Sequence, residues 1–214
     1  MEVTKKLAFI IPRGEVIRNF AYSGIFMELK KQYELHLISV FPNEELQAYL
    51  QEQCHTLHEL KAFELSYAHR YLLGLLDLAH NRYLWSEAAR VRWNMRDVEA
   101  RTIPARLKRV LNKILARFLA NNACLAWMER LLLRISLNEK GVQHYHRLLN
   151  EIKPDLLFNG SHSHSKIAYP VVQAARLNGV KTAAFLFSWD NLTSQGRVIP
   201  PYDYALAWNE QIRQ

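Results

Sequence analysis

Strand-length apolar runs alternate with stretches of helical spacing along most of the chain. Residues 6–12 enclose Leu7-Ala8-Phe9-Ile10-Ile11, which predicts a first β-strand, and residues 16–31 then bring Phe20, Ile25, Phe26 and Leu29 onto a helical spacing. Residues 33–41 predict the second strand. After the punctuation of Pro42-Asn43, residues 44–53 place Leu46, Tyr49 and Leu50 in an amphipathic helix, and a short third strand is expected at 56–60.

From about residue 63 to 136 the pattern changes to helix formers and arginines, with no strand candidate and a break near Thr102-Ile103-Pro104. This stretch reads as a helical insertion. The alternation then resumes: a helix over 138–152, a strand over 155–158, a helix over 165–177 ended by Asn178-Gly179, a strand over 181–187 and a last strand over 204–208. Strands joined by helical crossovers form a mainly parallel sheet with helices on both faces, because only such connections return the chain in the same direction. The expected fold is therefore a Rossmann-like α/β domain spanning residues 1–214, with strand order 3-2-1-4-5-6 and the long helical insertion. In that order the sheet reverses between the first and fourth strands, where the loops leaving the carboxyl ends open a crevice for ligand. Those loops are Arg13-Gly14-Glu15 and Asn159-Gly160-Ser161-His162.

Composition supports a packed domain. The chain has 214 residues, 50% of them hydrophobic, and only 7 Gly and 7 Pro, which argues against a disordered or fibrous polypeptide. Cys54 and Cys124 lie far apart in no Cys-x-x-Cys pair, so neither a disulfide framework nor a zinc site is signalled, and a reducing cytoplasm is expected. The first apolar run is too short for a signal peptide and ends in Pro12-Arg13-Gly14-Glu15. The best candidate for a membrane span, residues 124–135, is interrupted by Glu129, Arg130 and Arg134. A formal charge of +8 and a pI near 9.5 imply attraction to something anionic, without choosing among nucleic acid, phospholipid and phosphorylated substrate.

A more specific signal sits near the end. The segment Phe187-Ser188-Trp189-Asp190-Asn191-Leu192-Thr193-Ser194-Gln195-Gly196, with Pro201-Tyr202-Asp203 and Ala207-Trp208-Asn209-Glu210, resembles bacterial glycosyltransferase-like proteins of surface-polysaccharide synthesis. Arg18-Asn19-Phe20 before Ser23-Gly24 is similar to their first helix. The resemblance implies a GT-B arrangement, in which one Rossmann-like half holds the acceptor and a second holds a nucleotide-activated sugar donor. On that reading this chain is the acceptor-side half of a glycosyltransferase for cell-envelope polysaccharide or glycolipid. It binds no cofactor itself, takes a sugar or lipid-linked glycan acceptor, and is not expected to be active alone. The donor-binding domain would follow Trp208-Asn209-Glu210, and the sequence stops at Gln214.

Each candidate residue has a functional and a structural reading. Ser188, Trp189, Asp190 and Asn191 follow a predicted strand end, where a carboxylate, an amide and an aromatic face suit sugar hydroxyls; equally, Asp190 and Asn191 build an Asx turn and Trp189 packs beneath the loop to Tyr202. Asn159, Gly160 and Ser161 lead toward a helix whose N–H groups suit a phosphate or sugar oxygen, or whose first turn is capped by Ser161, Ser163 or Ser165. His162 and His164 sit near the crevice as a general base or phosphate contact. Glu15, beside Arg13 and Gly14, is either a base that deprotonates an acceptor hydroxyl, as GT-B enzymes often place one there, or an acidic residue favouring a helix N-terminus. The pairs His162-x-His164 and His144-x-His146 lack a completing ligand, so no metal is expected.

The insertion carries the remaining chemistry. Arg90, Arg92, Arg96, Arg101, Arg106, Lys108, Arg109, Lys113 and Arg117 interleave with Val91, Trp93, Leu107, Val110, Leu111, Ile114 and Phe118, and after Pro104 the apolar spacing suits one helix face. Packing of that face on the domain is one expectation. The other is that it lies on anionic lipid, making the protein peripheral on the inner face of the membrane. No RNA-binding signature accompanies the charge. A non-catalytic module that recruits an anionic membrane or RNA, and half of a GT-B-like nucleotide-sugar epimerase, stand as alternatives to the transferase.

Overall fold

The computed structural model describes residues 5–41, 43–161, 166–186 and 197–207, apart from the side chains of Arg96, Val98 and Glu99. Among these residues the chain divides into two compact units. The first comprises residues up to 64, 138–187 and 200 onward; the second comprises 65–137 with 197–199.

The first unit is the α/β domain that the alternation predicts. Strands β1 (Lys6–Ile11), β2 (Glu34–Ser39), β3 (Thr56–Glu59), β4 (Leu156–Asn159), β5 (Lys181–Phe185) and β6 (Tyr204–Leu206) pair in parallel, in the order β3-β2-β1-β4-β5-β6. Side chains alternate across the sheet. Leu7, Phe9 and Ile11 join one buried cluster with Leu35, Leu37 and Phe158, while Ala8 and Ile10 join another with Ile38, Leu157 and Val171. A strand covered on both faces has no use for polar positions, which is why β1 is written as an unbroken apolar run.

Helices supply the two covers. On one side lie α1 (Gly14–Val16), a π-helical turn over Ile17–Ala21, α2 (Ile25–Gln32) and α3 (Glu44–Glu52). The single helix expected over 16–31 is split in two. Ser23 Oγ donates to the carbonyls of Asn19 and Phe20 at 2.7 and 3.2 Å, and Gly24 takes φ = 80°, a left-handed conformation that glycine adopts without penalty. The break leaves Phe20 against Phe9, ring centroids 5.0 Å apart. α3 starts where Asn43 accepts a bond from the Leu46 N–H at 2.9 Å. On the other side lie α8 (Lys140–Ile152), a 3₁₀ turn over Lys166–Ala168 and α9 (Tyr169–Leu177). Tyr145 of α8 is fully buried and its hydroxyl accepts from the Lys61 N–H at 2.7 Å; burial pushes that phenol up to about 12.

The second unit is all helical: α4 (Tyr67–Leu84), α5 (Glu87–Glu99), α6 (Ile103–Leu119) and α7 (Asn122–Ser136). Ser66, Ser86, Thr102 and Asn121 each cap one of them, accepting from the N–H three residues on. The expected break at 102–104 falls at the third of these caps. The breaks at Trp85-Ser86 and Ala120-Asn121 are additional, and both carry a cap residue that marks them. α4 packs against α5, α6 and α7 around Leu76, Ala79, Trp93, Met128 and Leu132. Ile199 packs on the same core and Arg197 donates to Glu129 at 2.6 Å, which attaches residues 197–199 to this unit. Among the described residues no helix is long and apolar enough to cross a membrane.

Histidines inside the first unit set a pH limit on the fold. His36, on the α8 side of β2, stacks on His58 with ring centroids 6.1 Å apart, and its Nε2 lies 3.1 Å from Glu34 Oε1. Burial holds both imidazoles below the usual histidine range; Glu34 opposes this for His36 and Glu151 for His58. A depressed imidazole is neutral in the folded chain and protonates more readily once unfolded. Its contribution to stability is therefore complete above the unfolded value of about 6.5 and is lost as pH falls below it. Thermal melting from pH 7.5 downward is expected to show the midpoint dropping between about pH 6.5 and 5, a drop reduced in a His36→Gln, His58→Gln variant. A midpoint constant over that interval contradicts the assignment.

Candidate functional site

At the reversal of strand order, β1 and β4 run side by side and their chains leave in different directions. Phe9 pairs with Phe158 and Ile10 with Asn159, so the next residues of the two strands, Arg13-Gly14-Glu15 and Gly160-Ser161, emerge at the same edge. The close approach is enforced by Gly160. A Cβ there would lie 2.4 Å from Val16 Cγ1 and 3.0 Å from Phe9 Cε1, so the loop can rest on α1 only without a side chain.

The approach joins two residues 146 positions apart. Ser161 Oγ donates to Glu15 Oε1 at 2.9 Å, and Arg13 Nε lies 3.7 Å from Glu15 Oε2. Ser161 is buried and the Glu15 side chain is 23% exposed, with Oε1 held by Ser161 and Oε2 facing Arg13. The Ser161 hydroxyl thus donates to Glu15. α9 begins after Ala168, which makes no side-chain cap.

Backbone donors at this loop are already engaged. The Gly160 N–H donates to the Ile10 carbonyl at 3.2 Å and the Ser161 N–H to Asn159 Oδ1 at 3.2 Å. Those two N–H groups are therefore engaged within the chain, while the loop that follows them, 162–165, lies outside the described residues. Asn159 itself is 1% exposed and its Nδ2 donates to the Tyr202 hydroxyl at 2.8 Å, an inward-facing brace. Burial raises the Tyr202 phenol above its ordinary value, with the bond from Asn159 opposing, so it stays a neutral hydroxyl. Asp203 continues the brace: it accepts from the Thr182 N–H at 2.8 Å and from Lys181 Nζ at 3.0 Å, contacts that hold its carboxyl below the usual range and seat β6 beside β5.

Of the residues singled out from sequence, Arg13, Gly14, Glu15, Asn159, Gly160 and Ser161 therefore converge on one edge of the sheet. His162, His164, Ser188, Trp189, Asp190 and Asn191 lie outside the described residues. Tyr202, noted in the sequence only within Pro201-Tyr202-Asp203 and as the end of the loop over Trp189, is not among the site candidates, and the structure makes it the partner of Asn159. His144 and His146 do not form a pair, since His144 packs on Phe63 and Tyr145 while His146 Nδ1 meets Asn150 at 2.9 Å. A shallow depression elsewhere, at the carboxyl ends of β2 and β3, is lined by Phe41, Asn43, Glu44, Gln47, Leu57 and Glu59. It contains none of the converging residues, and its Asn43 amide is spent on capping α3.

Two substitutions test this construction. Gly160→Ala is expected to lower the urea midpoint through overpacking, by about 1–3 kcal/mol. Tyr202→Phe removes the acceptor of a buried amide N–H and is expected to cost about 1–3 kcal/mol, with the sheet otherwise intact. Unchanged midpoints contradict the tight approach and the brace respectively. No protein-family model and no curated protein matches this chain.

Proposed function

We propose that the sheet-bearing unit is the acceptor-binding half of a glycosyltransferase acting on cell-envelope polysaccharide or glycolipid, with the acceptor held at the β1–β4 edge. The observation that carries this reading is the Glu15 carboxylate, bonded inward to Ser161 at 2.9 Å and flanked by Arg13, at the strand-order reversal. A carboxylate so placed accepts from sugar hydroxyls with its free lone pairs, and a neighbouring guanidinium donates to sugar oxygens. The resemblance of the Phe187-to-Gly196 segment to glycosyltransferase-like proteins of surface-polysaccharide synthesis points to the same substrate class.

In this scheme Glu15 takes the proton from the acceptor hydroxyl as that oxygen attacks the anomeric carbon of a nucleotide-activated sugar, and the bond to the leaving phosphate breaks. The donor is bound by a second domain. Ser161 holds the carboxylate in one rotamer, so less orientation is lost on reaching the transition state.

Saturation-transfer NMR with a panel of envelope mono- and disaccharides is the direct test. Binding is expected for the full chain and is expected to weaken by about tenfold in Arg13→Ala, the loss of one charge-assisted bond. In an enzyme that includes a donor-binding domain, Glu15→Gln is expected to lower kcat by about 10²–10⁴ while changing acceptor KM little. Absence of binding to every glycan, or full activity of Glu15→Gln, overturns the reading.

A further inference from the structure

The amphipathic helix α6 faces the wrong way for a helix that packs by its apolar stripe. Ile103, Leu107, Val110, Leu111, Ile114 and Phe118 recur at helical spacing on one side, and all six are exposed, Ile103 at 82%, Leu107 at 60% and Phe118 at 76%. The side turned to the helical unit is mostly small and polar instead, with Leu119 its one leucine packed on the core among the described residues. Ala116 is fully buried there, Asn112 Oδ1 accepts from the Tyr71 hydroxyl of α4 at 2.8 Å, and Arg109 donates to Asp97 at 3.0 Å and to the Trp93 carbonyl of α5 at 2.6 Å. Lys113 also pairs with Asp97. Polar partners thus fix the roll of α6 and hold its apolar stripe outward, over a length of about 22 Å. The expected packing of this face on the domain does not occur. Contiguous exposed apolar surface of this kind marks a docking site.

Charge identifies what docks. Residues 65–137 hold thirteen Lys and Arg against five Asp and Glu, a net +8, equal to the formal charge of the whole chain. On α6, Arg106 and Arg117 lie on one flank of the stripe and Lys108 on the other, following the 100° step of the helix; Arg106 Nε donates to the Ala100 carbonyl at 3.0 Å and Lys108 Nζ to the Tyr67 hydroxyl at 2.8 Å, and all three side chains stay exposed. A second copy of this face would oppose like charges, which disfavours self-association. A surface both anionic and apolar beneath answers both features: head groups for the flanking cations, acyl chains for Leu107, Leu111 and Phe118.

We propose that α6 is an in-plane membrane anchor, docking the protein on anionic phospholipid with its apolar stripe inserted at the head-group boundary. The anchor stands independently of the β1–β4 site, since it is built from residues of the helical unit alone.

Flotation of the full chain with vesicles tests it. Binding is expected to vesicles of phosphatidylcholine mixed with phosphatidylglycerol, to be weak on phosphatidylcholine alone, and to fall with added sodium chloride. Leu107→Asp with Phe118→Asp is expected to reduce partitioning at least about tenfold, because two inserted side chains become charged, while circular dichroism and melting stay unchanged since both sites are exposed. Arg106→Glu with Arg117→Glu is expected to reduce it by about tenfold at low salt. The proposal is overturned if anionic vesicles are not bound, or if the Leu107→Asp, Phe118→Asp variant binds them normally. It is also overturned if the apolar stripe instead drives concentration-dependent dimers in sedimentation, or if single-stranded RNA binds as tightly as vesicles and is insensitive to the apolar variant.

Discussion

The parallel ladder in which β1 is paired on both edges constrains everything else in the sheet unit. Because β2 and β4 flank it in parallel, the chain must leave β1 toward one layer of helices and leave β4 toward the other. Two departing loops then share one edge of the sheet. Whatever the chain places there meets across the gap, which is how Glu15 and Ser161 come together from opposite ends of the sequence. Gly160 is the steric condition of that meeting, and the Asn159–Tyr202 bond holds the floor beneath it.

The side-chain traffic at this edge separates support from chemistry. Asn159, Tyr202, Asp203 and Thr182 spend their polar atoms on one another and on the backbone, and so position strands. The Gly160 and Ser161 N–H groups are consumed in the same way. Glu15 and Arg13 are paired with each other at 3.7 Å and keep 23% and 45% of their side chains exposed. The helical unit obeys a different logic. Its core is closed by α4 with the apolar faces of α5 and α7, whereas α6 contributes Ala116 and Leu119 beside an asparagine and paired cations. A helix secured by hydrogen bonds and ion pairs leaves its apolar face available for another medium.

Much of the fold is legible from residue order because periodicity is a local property. The apolar run at β1, the Asn43 cap of α3 and the Asn178-Gly179 stop each announce an element within a few residues. Strand order followed from crossover rules applied to those elements. The split of the helix near Gly24 and the extra breaks at Ser86 and Asn121 were also written locally, in a glycine and two cap residues, but were masked by strong helix formers around them.

The sequence by itself determined the alternation of elements, the parallel sheet, the two loops that flank the strand-order reversal and the amphipathic pattern of α6. Tertiary structure alone decided which polar groups are spent and which remain. Whether Gly160 and Ser161 offer free N–H groups depends on Ile10 and Asn159 being in register, and whether the α6 stripe is core or surface depends on Asp97, Trp93 and Tyr71 claiming its opposite face. Helical spacing gives the angle between residues on one element but carries no information about the rotation of that element against its neighbours. That rotation is fixed by contacts between distant segments, in α6 by a handful of hydrogen bonds and ion pairs.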